Sequence, residues 1–585
     1  MAFHRAGHAV RRAGRAALAV ALAGAAWPAA APAEIPLAAR RATAARGMVV
    51  AAHPRAAEAG VEIFKAGGNA FDAAAATAFA VGVAEPFGSG IGGDGMALIH
   101  VAATSQTSAQ TSAIDFRSLS PAAATPETYD LKDAAKKTWR ATAKAAAVPG
   151  VVAGVLAMHA EYGRLPRAAV MAPAIRLAEE GFAVEAAYRD VAENALTRLR
   201  ANPAAAAVYL HAGQPPAEGH IVKNRELADT LRRISAEGPD GFYKGPVAAK
   251  ITAGLAAGGA VMTEADLAGY RPRVRKVLTV DYRGFRVSSA PPPFGGLMVL
   301  QNLKTIERLP VDFKRPQTDP ANLNWIMEAM KRSSGESDKV NGDPDFARVP
   351  TEQLLSDAQA AGAATAIMTH ETSVARTAAT AAMAAAAGDG DETVDPKTPG
   401  QTTHLSVIDA EGNAVSLTQT LGVHFGCFQM PAGTGVLMNA EMINFSPKRA
   451  SPNALAPRKR VRSTQSPTLV TRDGEVVLAV GSPGDYYIVT AVTNVLLNHL
   501  AYGMDLFDAV DAPRFAARYN WSMARVEKRL PAATLAALDK LGEPTSLYEA
   551  YDLHFGGVAA ISRDPVSGRL YGVADRRRDG VAKGF

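Results

Sequence analysis

Gly400 to Leu421 reads GQTTHLSVIDAEGNAVSLTQTL, and the pattern of this stretch organises the whole chain. Two runs, Thr402–Ile408 and Ala414–Thr420, alternate in polarity and are rich in β-branched residues. Between them lie Asp409, Ala410, Glu411, Gly412 and Asn413, a turn-forming set. Together these features predict a β-hairpin. With the turn centred on Glu411, Thr402 faces Thr420. Directly opposed side chains have Cβ atoms about 4.5–5.5 Å apart, so the two hydroxyls are within reach of one hydrogen bond. The hairpin alone leaves two readings open, because threonine is also simply a good strand residue.

Gln401-Thr402-Thr403-His404, the Asp-x-x-Gly-Asn turn and Thr418-x-Thr420 resemble the signature of the γ-glutamyltranspeptidases, a family of N-terminal-nucleophile hydrolases. The resemblance implies a four-layer αββα sandwich of the α+β class. It also implies a precursor that cuts itself between Gln401 and Thr402, leaving Thr402 as nucleophile and Thr420 as the hydroxyl bonded to it. The chemistry suits the residue: a threonine hydroxyl is a weak nucleophile, and an N-terminal threonine carries its own base. That α-amine titrates near pH 7.7–8.0 in isolated peptides, so a useful fraction is unprotonated around neutrality.

The first residues read as a leader. Arg5, Arg11, Arg12 and Arg15 precede the short apolar run Ala16–Ala26, and Ala31-Pro32-Ala33 is a plausible cleavage site after residue 33. The run is too short to span a bilayer, which takes about 20 residues. The chain therefore reads as exported, periplasmic or secreted, with no stable membrane anchor. Removing those four arginines takes the formal charge from +6 to +2, which leaves no case for nucleic acid as a partner. Cys427 is the only cysteine, so no internal disulfide is possible, and a lone cysteine without a Cys/His motif reads as a small buried hydrophobe. No metal-ligand pattern occurs, and no cofactor is expected.

Division by typical domain size suggests three or four domains. The only strong composition break, however, is the Ala/Thr/Gly/Asp-rich stretch at about 371–401, a tether ending at the expected cleavage point. Residues 34–401 and 402–585 are thus expected to be large and small subunits of one interlocked domain. Pro54 to Lys65 and about Phe71 to Val83 have helical spacing, separated by Gly67-Gly68 and capped by Asn69. Gly88-Ser89-Gly90-Ile91-Gly92-Gly93 fits a G-x-G-x-x-G template, but a helix precedes it and a strand follows. That context is the reverse of a dinucleotide site, so it reads as a turn.

Other site residues follow from the resemblance. Asp115-Phe116-Arg117 matches the motif whose arginine grips the substrate α-carboxylate, a role suited to a planar, always-charged fork. Ser463 and Thr464 match paired hydroxyls that hold the same carboxylate. Glu441 matches an ammonium-binding residue, while Asn444 stands where an Asp is usual and Gly422 where an Asn is usual. Gly481-Ser-Pro-Gly484-Asp485 follows a strand and opens a helix, which aims backbone N–H groups of Gly484 and Asp485 at an oxyanion. A capped helix N-terminus accounts for the same residues equally well.

The implied activity is hydrolysis or transfer of γ-glutamyl groups from glutathione-like amides, with water or an amine as acceptor. Two alternatives stand beside it: an acylase for glutaryl-type side chains, and an exported binding protein of the same fold that never matures.

Overall fold

The computed structural model describes residues 35–129, 131, 139–369 and 401–585; the leader and the tether fall outside them. The hairpin forms in the expected register. Thr403 pairs with Gln419 and Ile408 with Ala414, between strands Thr403–Asp409 and Ala414–Thr420. Its turn is held by Asp409, whose Oδ1 accepts the N–H groups of Glu411 and Asn413 at 3.0 Å each. Asp409 Oδ2 accepts the Asn413 side chain at 2.9 Å and the Ala70 N–H at 3.0 Å. One carboxylate thus shapes the turn and ties it to the helix behind.

That hairpin is the middle of a seven-stranded sheet. The order is Val581–Gly584, Gly47–Ala51, Thr403–Asp409, Ala414–Thr420, Asp94–Val101, Gln110–Phe116, Arg273–Arg275. A second seven-stranded sheet has the order Arg41–Ala44, Leu570–Ala574, Ala559–Arg563, Glu475–Gly481, Thr468–Arg472, Phe285–Ser289, Leu278–Tyr282. Strands from both sides of Gln401 enter each sheet, so neither part of the chain builds either sheet alone.

The apolar residues divide by period two, as a strand's geometry requires. Met48, Val50, Leu98 and Ile408 meet Leu469, Ala479 and Ile561 between the sheets. Val49, Leu405, Val407 and Leu417 face the opposite way, onto helices Pro54–Lys65 and Ala70–Ala84. On the far side Val470, Leu478 and Val480 pack on helices Gly296–Ile306, Pro320–Val340 and Tyr487–Leu496. Helix, sheet, sheet, helix is the four-layer order.

The hairpin's alternation predicts one wet face, yet every residue of both strands is buried. His404, Ser406, Ser416 and Thr418 point between the sheets and are satisfied there. His404 Nδ1 and Thr418 Oγ1 lie 2.8 Å apart, while Ser406 and Ser416 donate to the carbonyls of Ala559 and Val480 at 3.0 Å. Burial pushes the His404 imidazole down to about 3, so it stays neutral.

Helix Pro54–Lys65 has the expected bounds, and Asn69 caps helix Ala70–Ala84 reciprocally with Asp72. The glycine-rich stretch is the turn between that helix and strand Asp94–Val101. Its glycines admit close backbone approach: a Cβ on Gly93 would lie 2.1 Å from the carbonyl oxygen of Thr420. Among the described residues no helix is long and apolar enough to cross a membrane. Burial pushes the Cys427 thiol up to about 12, which suits a packing residue and not a nucleophile.

Candidate active site

Antiparallel neighbours put the start of one strand beside the end of the next, and four such ends gather the site. Thr402 immediately precedes strand Thr403–Asp409, and Thr420 ends its partner. Asp94 opens the next strand, directly across from Thr420, and Arg117 follows the last residue of strand Gln110–Phe116.

At the hairpin's open end the Thr402 hydroxyl donates to Thr420 Oγ1 at 3.0 Å, and Gly422 N–H donates to the same oxygen at 2.9 Å. Thr402 has φ +99°, a left-handed value that is a genuine outlier for a β-branched residue. The Gln401 carbonyl accepts the Gly484 N–H at 3.1 Å. The peptide bond before Thr402 is therefore already polarised by a backbone donor, beside a hydroxyl and a strained backbone. Arg578, absent from the sequence reading, reaches the Thr402 carbonyl at 3.4 Å.

Gly484 and Asp485 both have positive φ, +128° and +53°, and helix Tyr487–Leu496 begins two residues after Asp485. Thr464 donates to the Asp485 carbonyl at 2.8 Å, bracing this turn. The Ser463 N–H donates to the Pro293 carbonyl at 2.9 Å, which gives the Pro291-Pro292-Pro293 turn a positioning role. Ser463 Oγ accepts the Gln465 N–H at 3.2 Å.

The second cluster surrounds Arg117, which is fully buried. Nε donates to the Val461 carbonyl at 3.0 Å, and Nη1 donates to Asp94 Oδ1 at 2.6 Å and Glu441 Oε1 at 2.9 Å. Nη2 donates to Glu441 Oε2 at 2.5 Å and the Arg462 carbonyl at 3.2 Å. All five guanidinium donors are spent. Burial opposes the charge, but Asp94 and Glu441 more than offset it, so the guanidinium is held above its ordinary range. Asn444 Nδ2 donates to Glu441 Oε2 at 2.8 Å.

The sequence reading gives Arg117 and Glu441 separate partners; in this structure they bind each other. With Glu441 on both Nη1 and Nη2 and Asp94 also on Nη1, the fork offers no free pair of donors to another carboxylate. Asp94 was invisible in the sequence because it sits inside a glycine run that reads as a turn, and only its contact with Arg117 distinguishes it.

The two clusters meet at Gly422. It bonds Thr420 through its N–H, has φ +86°, and a Cβ there would lie 2.9 Å from Glu441 Oε1. Gly422→Ala is expected to cost about 1–3 kcal/mol in backbone strain and to displace Glu441. A thermal melt and the KM for a γ-glutamyl anilide check this. A lowered melting temperature with an unchanged KM would show that Glu441 does not contact the acyl head group.

Among the described residues no group of three His, Cys, Asp or Glu side chains is placed to hold a metal ion. A threonine hydroxyl at the start of a central strand, a second hydroxyl bonded to it and a backbone donor on the preceding carbonyl, all within an αββα sandwich, are the arrangement of the N-terminal-nucleophile hydrolase fold. The sequence model described as Gamma-glutamyltranspeptidase matches residues 56–585, and the chain belongs to that family and is an enzyme of its type. It is 36% identical to a glutathione hydrolase proenzyme of Pseudomonas sp. (strain A14), covering 93% of this chain and 95% of that one. It is also 34% identical to an acylase ACY 1 proenzyme of Pseudomonas sp. (strain SE83), covering 92% and 94%. Its fold is similar to the crystal structure of cephalosporin acylase from Bacillus halodurans, with TM-score 0.80 and 29% identity over 93% of this chain and 97% of that one.

Proposed function

We propose that this exported chain cuts itself between Gln401 and Thr402 and then uses Thr402 to hydrolyse or transfer γ-glutamyl groups of glutathione-like amides. The observation that carries the reading is the geometry of the scissile bond: Thr402 Oγ1 on Thr420, the Gln401 carbonyl on Gly484, and φ +99° between them. Thr402 Oγ attacks the Gln401 carbonyl carbon, and the Gly484 N–H supports the oxyanion. The Thr402 nitrogen leaves with a proton, and water opens the resulting ester. The products are the Gln401 carboxylate and the free Thr402 α-amine. In turnover that amine takes the hydroxyl proton, and the same backbone donor serves the substrate's oxyanion. Water or an amine then accepts the acyl group. The two fragments stay together as a heterodimer, because each sheet takes strands from both.

In this reading Arg117, with Ser463 and Thr464 beside it, takes the α-carboxylate. Glu441, displaced from the guanidinium, takes the α-ammonium together with Asn444. Release of p-nitroaniline from a γ-glutamyl anilide by purified, cleaved enzyme tests the activity, and its absence would overturn it.

The similarity to acylases favours a second reading, turnover of glutaryl-type amides. Asn444 separates the two. Asn444→Asp adds a counter-charge for the ammonium and is expected to favour γ-glutamyl over glutaryl donors by about 1–2 kcal/mol, roughly five- to thirtyfold in relative kcat/KM. An unchanged ratio would place Asn444 away from the ammonium.

A further inference from the structure

We propose that Asp94 is a specificity-determining residue, acting through Arg117, which makes the head-group pocket select acyl groups that bring their own cation. The proposal rests on the γ-glutamyl reading of the site and adds to it a residue and a charge rule. Asp94 is fully buried and held from three sides: by Arg117 Nη1 at 2.6 Å, by the Ser118 N–H at 3.1 Å, and by the Gln465 side-chain amide at 3.5 Å. Its strand partner is Thr420, so its carboxylate sits one strand from the nucleophile's hydroxyl partner.

The charge of the pocket follows from these contacts. One guanidinium serves two buried carboxylates, Asp94 and Glu441, and the resting pocket carries an excess of one negative charge. A γ-glutamyl head group is a zwitterion. Its carboxylate replaces Glu441 on the fork, its ammonium compensates the displaced Glu441, and the excess stays at one. A glutaryl head group lacks the ammonium, so the same exchange buries a third carboxylate around one arginine. Burying an uncompensated charge is strongly unfavourable. A 4-aminobutanoyl group, which keeps the amine and lacks the α-carboxylate, leaves Glu441 on Arg117 and neutralises the excess. Burial pushes the Asp94 carboxyl up to about 7, with Arg117 opposing and Glu441 adding to the rise, so the rule is read at about pH 8, where Asp94 is ionised.

The experiment compares γ-glutamyl, glutaryl and 4-aminobutanoyl anilides at about pH 8, on wild-type enzyme and on Asp94→Asn, with cleavage of both checked by denaturing gel. Asparagine keeps the shape and one acceptor for Arg117 or Ser118 but removes the charge. Wild type is expected to turn over γ-glutamyl and 4-aminobutanoyl donors at least tenfold better than glutaryl. In Asp94→Asn the glutaryl to γ-glutamyl ratio of kcat/KM is expected to rise at least tenfold, and the 4-aminobutanoyl to γ-glutamyl ratio to fall. A purely structural role for Asp94 would lower all three donors together and leave both ratios unchanged, which would overturn the proposal. Equal turnover of γ-glutamyl and glutaryl donors by wild type would overturn it even if the variant failed to mature. Turnover of none of the three by cleaved wild-type enzyme would instead overturn the γ-glutamyl reading, and this proposal with it.

Discussion

Thr402→Ala is expected to accumulate as one uncut chain and to lose at least about four orders of magnitude of γ-glutamyl turnover. The alanine removes the hydroxyl bonded to Thr420 beside the Gln401 carbonyl, so the acyl shift has no attacking atom. Thr402→Ser keeps that atom and is expected to cut. The wild-type small fragment should begin Thr-Thr-His-Leu and run to Phe585, as Edman sequencing and intact mass will show. Full turnover by an uncut chain would overturn the mechanism. Cleavage at another bond would detach the Gly484 contact from its assigned role.

The second large effect concerns the Arg117 fork. Arg117→Lys keeps one positive charge between Asp94 and Glu441, so self-cleavage is expected to continue. Lysine has three donors on one atom where the guanidinium has five in a plane, and it cannot present two parallel bonds to a carboxylate. Losing one or two charge-assisted bonds to the substrate is expected to cost about 3–4 kcal/mol, roughly two to three orders of magnitude in kcat/KM, with most of the change in KM. A variant that matures and keeps its KM for a γ-glutamyl anilide would show that Arg117 only ties Asp94 and Glu441 into the core.

Carboxylates at residues 94, 441 and 444 are expected to act in one direction on the same ratio. Removing a carboxylate at residue 94 relaxes discrimination against glutaryl donors, and adding one at residue 444 sharpens it. The two substitutions share Glu441 as a neighbour, through Arg117 and Asn444, so their effects are expected not to add simply.

The sequence by itself determined the features whose physics is local. The Asp409–Asn413 turn sets the hairpin register within a few residues, and through it the opposition of Thr402 and Thr420. Asn69 and Asp72 cap their own helix, and Pro54 starts the one before it. The signature around Thr402 was legible for the same reason, since Thr402, the turn and Thr420 lie on one short stretch. What only the tertiary structure decided depends on contacts across the chain. The polar half of the hairpin's alternation faces a second sheet instead of water, because Ala559 and Val480 supply acceptors that no local pattern announces. The Gly484 donor meets the Gln401 carbonyl only when the two sheets stack. The mutual engagement of Arg117 and Glu441 spans 324 residues of sequence, and Asp94 joins it from the strand next to the one that Arg117 follows. A side chain's charge partner in a buried pocket is set by which strand ends the fold brings together, and that is a property of the stacked sheets.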